Sequence, residues 1–150
     1  QSSIDTSKCV GCGRCIGACP VDAVDSMCDE ANDILNRKIA EYTLAVLKGR
    51  PNFHVSLVVD VSPNCDCHSE NDAPIVPNVG MFASFAVALD MACVDAVNSQ
   101  PVLAGSFLAE QDHHSHDHFI NTHPDTNWET CIDHAVKLGL GNKEYNLITI

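Results

Sequence analysis

The chain has 150 residues, 45% of them hydrophobic, with 8 basic against 20 acidic residues and a formal net charge of −12. That is about one domain's length with apolar matter for a core, and its acidity disfavours nucleic acid, which requires a basic patch. It contains no run of roughly 18 apolar residues, so no membrane-spanning helix is expected.

The first element is a cysteine loop. Cys9, Cys12, Cys15 and Cys19 stand as C-x2-C-x2-C-x3-C, followed at once by Pro20, in KCVGCGRCIGACP. That is the thiolate spacing of bacterial-type 4Fe–4S ferredoxins. Two intervening residues let consecutive thiolates reach neighbouring irons, and Gly11, Gly13 and Gly17 relieve crowding where the backbone closes. Structural zinc also uses C-x2-C pairs, but usually brings them from separate segments. The spacing therefore predicts a 4Fe–4S cluster held by Cys9, Cys12, Cys15 and Cys19, flanked by short strands at residues 3–5 and 21–24. Val10, Ile16 and Val21 are expected to screen it from water.

The fourth ligand stays open. In two-cluster ferredoxins the cysteine before proline serves the other cluster, yet this chain has one copy of the motif. Cys19 closes a local cluster, or a remote thiolate closes it, with Cys28, Cys65 and Cys67 as the polar-loop candidates. A second cluster, completed by another segment or a partner chain, is the third arrangement. The plain alternative for Cys65 and Cys67 is two loop thiols.

Composition changes after Asp25, and residues 1–27 are expected to form the ferredoxin-type segment and 28–150 an α/β region. Asn32 or Asp33 caps a helix to about Lys48, stopped by Gly49. Leu35, Ile39, Tyr42 and Val46 recur four, three and four apart, the packing face of that helix. Residues 53–61 (FHVSLVVDV) are β-branched and apolar, as in a buried strand. Residues 62–78 form a long loop, and such loops are often functional. Asp60, just before it, and Asp66, Cys67, His68, Glu70 and Asp72 gather polar groups in one stretch. A strand at 79–83 and a helix at 85–97 follow, the latter with Phe85, Leu89, Ala92 and Ala96 on one side.

A short helix is expected within 101–110. His113, His114, His116 and His118 then crowd QDHHSHDHF, a tract able to bind Zn²⁺, Ni²⁺ or Cu²⁺ but equally a solvated loop. Thr126 or Asn127 caps a last helix with Trp128, Cys131, Ile132 and Ala135 as its buried stripe and Gly139 as its end. Residues 145–150 (YNLITI) read as a closing strand. The fold class is α/β, or α+β: a ferredoxin-like cluster segment attached to a small α/β layer.

Nine cysteines are an odd set, whereas disulfide-stapled secreted domains pair theirs evenly. Residues 1–15 show no secretory signal. A reducing cytoplasm is the expected setting. The chain begins with Gln1 rather than Met, as a fragment or a processed product would.

Beyond the cysteine motif, RKIAEYTLAVLKGRPNFHVSLVVDVSPNCDCHSENDAPIVPNVGMFAS, VALDMACVDAVN, HPDTNW and LGLGNKEY resemble the C-terminal part of the iron–sulfur-centre proteins of the domain of unknown function 362 family. The resemblance implies an α/β fold with an inserted ferredoxin-type site, and a chain corresponding to the C-terminal part of a longer protein. It implies that the Cys65-Asp66-Cys67 loop approaches the cluster or another metal. It implies no particular reaction. Members commonly carry Asp-Pro before Val-Ala-Leu-Asp, where this chain has Ser84-Phe85-Ala86 before Val87. Electron transfer, with a redox partner protein or the remainder of the same polypeptide, is the expected function. A cluster-dependent enzyme using the 62–78 loop and a purely structural cluster are the alternatives. No nucleophile–base motif, phosphate loop or dinucleotide fingerprint decides whether the protein is an enzyme.

Overall fold

The computed structural model describes residues 4–5, 7–10, 14–21, 23–24, 32–64, 73–112 and 115–150. The chain divides into two compact units, Gln1–Glu30 and Ala31–Ile150. In the first, the described residues form one short helix, α1 (Arg14–Gly17), and no strand. Of the strand expected near residues 3–5, residue 3 lies outside the described residues, and residues 4 and 5 lie in no strand and lead into a turn. Asp5 accepts from the Ser7 N–H (3.1 Å) and hydroxyl (2.6 Å), and its carbonyl accepts from Lys8 N (3.1 Å). Such local side-chain bonding competes with strand pairing. Residues 21, 23 and 24 also lie in no strand. The Ala23 N–H donates to the Cys19 sulfur instead.

The second unit is a mixed α/β fold. It is built from α2 (Asn32–Leu47), β1 (His54–Val58), β2 (Gly80–Ser84), α3 (Ala86–Asn98), α4 (His118–Thr122) and α5 (Glu129–Lys137). Among the described residues the sheet has two strands, antiparallel, with Ser56 opposite Phe82. α3 packs on β1 and β2. Val58, Ile75, Val76, Val97 and Leu108 form one core cluster, and Ala40, Val87, Ile132 and Ala135 a second. No helix among the described residues is long and apolar enough to cross a membrane.

Several sequence expectations are corrected here. β1 is shorter than residues 53–61, and it is half-buried rather than buried. Val55 and Leu57 point to solvent while Val58 is covered. An antiparallel pair with one packed face leaves alternate residues wet. The strand ends where Asp60 adopts a left-handed φ of 49°. Residues 101–110 hold only a 3-10 turn, Leu108–Glu110. Phe85 is 64% exposed rather than part of the α3 packing face. Residues 145–150 form no strand; the Tyr145 hydroxyl donates to Asp95 Oδ2 at 2.6 Å.

The α2 face is also reversed. Leu35, Ile39, Tyr42 and Val46 are exposed, at 56%, 47%, 74% and 60%, while Ala40 is buried. α2 instead lies against α5, where Ala40 meets Ile132 and Ala135. Small residues let helices approach closely. Polar side chains fasten the pair. Asn32 Nδ2 donates to Asp125 O (2.8 Å), Asn36 Nδ2 to Asn127 O (2.7 Å), and Thr130 Oγ1 to Asp33 Oδ1 (3.2 Å). α5 itself matches its expected stripe, with Ile132 and Ala135 buried. Asn127 Oδ1 accepts the Glu129 N–H (2.9 Å), and Gly139 ends the helix at φ 79°.

Candidate cluster-binding segment

Four residues, Arg14–Gly17, make a single helical turn. Ala18 N donates to Arg14 O (3.0 Å) and Cys19 N to Ile16 O (3.2 Å), so the chain curls back after Cys15. Pro20 follows and cannot continue a helix. Cys9 and Cys15 are exposed and Cys19 is half-buried; Cys12 lies outside the described residues. Val10, Ile16 and Val21, the expected apolar screen, are 86%, 40% and 74% exposed. Arg14 opens α1 and is exposed.

Cys19 carries the clearest chemical signature. Its sulfur accepts the Ala23 N–H at 3.2 Å. Main-chain N–H groups, that of Val21 first and then Ala23, hold its thiol below the ordinary value, outweighing partial desolvation. Donors aimed at sulfur favour the thiolate, the form that ligates iron. At the entrance to the loop, the Ser7 hydroxyl and N–H, followed by Lys8, lower the Asp5 carboxyl. That fastened turn leads directly into Cys9. Thiols at these intervals, one of them with main-chain N–H groups aimed at its sulfur, fit a cubane of iron and sulfide as a donor set.

The remaining predicted ligands are scattered. Cys28, Cys65, Cys67, His113 and His114 lie outside the described residues, as do Asp66, His68, Glu70 and Asp72. His116 is exposed. His118 begins α4 and is half-buried, with ring Nε2 2.9 Å from Gln100 O and the His118 main-chain N–H donating to Asn98 Oδ1 (2.8 Å). Nε2 donates to that carbonyl, and Nδ1 is buried with no hydrogen-bond partner among the described residues. Among the described residues no three His, Cys, Asp or Glu side chains gather to hold a metal ion.

Two positioning residues escaped sequence reasoning. His123 Nε2 lies 2.6 Å from Pro63 O and so ties α4's end to the stem of the 62–78 loop. Asp117 caps α4 through the N–H groups of Phe119 (2.8 Å) and Ile120 (3.2 Å), and accepts the Trp128 indole N–H (2.8 Å). Beside them His118, Thr122, His123, Trp128 and Pro63 border a mainly apolar pocket of about 140 Å³. HPDTNW contains His123 and Trp128, but nothing in their spacing announces contacts made across 60 residues.

Residues 2–25 match the family model of the 4Fe-4S binding domain. No curated protein and no solved structure matches the chain. The amino-terminal segment is a 4Fe–4S-binding segment, the cofactor is a 4Fe–4S cluster, and the chain is an iron–sulfur protein.

Proposed function

We propose that the protein transfers single electrons, with Cys9, Cys12, Cys15 and Cys19 holding the cluster. The observation that carries the local assignment is the Cys19 sulfur, which accepts a main-chain N–H at 3.2 Å and has its pKa lowered. A bound cluster supplies one-electron exchange at a potential set by burial, charge and hydrogen bonds to sulfur. The chain's own part is to present thiolates from a curled backbone, to aim N–H groups at sulfur, and to offer Val10, Ile16 and Val21 as apolar cover. The charge of −12 suits docking to a basic patch on a redox partner. The likeness to the domain of unknown function 362 family supports a further reading. Residues 28–150 belong to a larger α/β redox domain, whose remainder is the other candidate partner, in a reducing cytoplasm.

Anaerobic reconstitution should yield about four irons and four sulfides per chain, with colour bleached by dithionite and an EPR signal on reduction. Cys19→Ser should lower the iron content or shift that signal, while Cys65→Ser and Cys67→Ser leave both unchanged. Tightly bound iron that never reduces reversibly refutes electron transfer. Iron loss in Cys65→Ser or Cys67→Ser alone moves the fourth ligand to the C-D-C loop.

The pocket bordered by Pro63 and His123 favours one second reading, a cluster-dependent enzyme using the 62–78 loop. Reduction of a small acceptor by loaded protein, abolished by His123→Ala with iron content unchanged, would support it.

A further inference from the structure

A second cleft, larger than the histidine-lined pocket, lies beside the sheet. One wall is β2 and the residue before it, the other is residues 145–150, and Ala88, Leu89 and Ala92 of α3 form the floor. Its volume is about 690 Å³. We propose that this cleft seats an extended, uncharged β-strand from a different polypeptide, which pairs with the outer edge of β2.

Four observations point to that occupant. First, β2 pairs only with β1 among the described residues, so half of its main-chain N–H and C=O groups face the cleft unpaired. A two-stranded sheet is marginal by itself and gains from a third strand. Second, the opposite wall carries strand-type sequence but makes no described main-chain bond to β2. Its first residue is anchored through Tyr145 to Asp95, while Leu147, Ile148 and Ile150 stay 64%, 81% and 117% exposed.

Third, charge matches. No charged residue lines the cleft, in a chain with 8 basic and 20 acidic residues. A charged ligand would lose hydration there without a counter-charge, whereas an uncharged strand loses little. Fourth, dimensions match. Each wall runs six residues, about 20 Å at roughly 3.3 Å per residue, the length of an ordinary strand. The small side chains of Ala88 and Ala92 leave the floor low, so a backbone can settle between the walls. Main-chain pairing would supply affinity, and alternate side chains would extend the exposed apolar row of Val55, Leu57 and Met81.

The test uses the full chain and the uncharged, end-capped peptide acetyl-Ser-Thr-Val-Thr-Ile-Thr-Val-Ser-amide at about 1 mM, read by amide hydrogen exchange. The expected result is roughly ten-fold slower exchange of the residue 80–84 amides, absent with an analogue carrying Pro in place of the central Ile. Ala88→Glu should abolish the protection with circular dichroism unchanged. Should that variant unfold, Thr149→Lys on the opposite wall serves the same purpose. Equal protection by both peptides, or none by either, overturns the proposal. Protection that rises with protein concentration alone assigns the cleft to a second copy, and protection already complete in dilute free chain assigns it to residues 145–150 themselves. Either result overturns it too.

Discussion

A cysteine sulfur is a nucleophile or a ligand only as thiolate, and three of the described cysteines are shifted in opposite directions. Main-chain N–H groups lower the Cys19 thiol, while burial raises those of Cys93 and Cys131. Cluster-free protein treated with iodoacetamide near pH 7.5 should therefore alkylate at Cys19 well before Cys93 or Cys131, as peptide mapping will report. Loading with iron and sulfide should then protect Cys19 while leaving the slow reaction at Cys93 and Cys131 as it was. Unchanged Cys19 labelling in loaded protein removes it from the ligand set. The ligand spacing was legible because it is local, with neighbouring thiolates serving neighbouring irons. The Ala23 N–H on Cys19 was not, because it depends on how the chain bends after Pro20.

At the scale of single elements, α2 and α5 show what periodicity encodes. Both have a recognisable apolar row, yet only α5 buries its own. On α2 the row of Leu35, Ile39, Tyr42 and Val46 is exposed and Ala40 takes the contact. Tyr42→Lys should thus alter stability by no more than about 0.5 kcal/mol, whereas Ala40→Leu should cost about 1–3 kcal/mol through overpacking against Ile132 and Ala135. Urea titration of both variants measures this directly. The opposite ranking would place the row in a core. Helix ends were the better-read features. Gly139 supplies the positive φ that closes α5, and Asn127 satisfies its first turn, both through bonds within a few residues.

For the whole molecule, alkaline pH is the informative stress. Burial raises Cys93 and Cys131 above their ordinary 9.0, and the hydrogen bond to Asp95 raises Tyr145 above 10.0. A raised folded pKa means stability that is complete below the ordinary value and lost as pH climbs through the folded one. Thermal midpoints should hold between pH 7 and 9 and fall beyond, and Cys93→Ala with Tyr145→Phe should flatten that fall. On the acid side the sign reverses. Lys143 lowers the Asp133 carboxyl from 3.8, chiefly by hydrogen bonding, so that contribution disappears as the carboxyl protonates.

The sequence alone determined the cofactor and the limits of α2, α3 and α5 to within a residue or two. Both rest on ligand spacing or on hydrogen bonds between near neighbours. Tertiary structure alone decided which side of α2 is covered, that the sheet has two strands among the described residues, that residues 145–150 stay outside it, and that His123 reaches back to Pro63. The physical reason is range. A residue's neighbours in sequence dictate its conformation, but burial depends on which surface arrives from elsewhere in the chain.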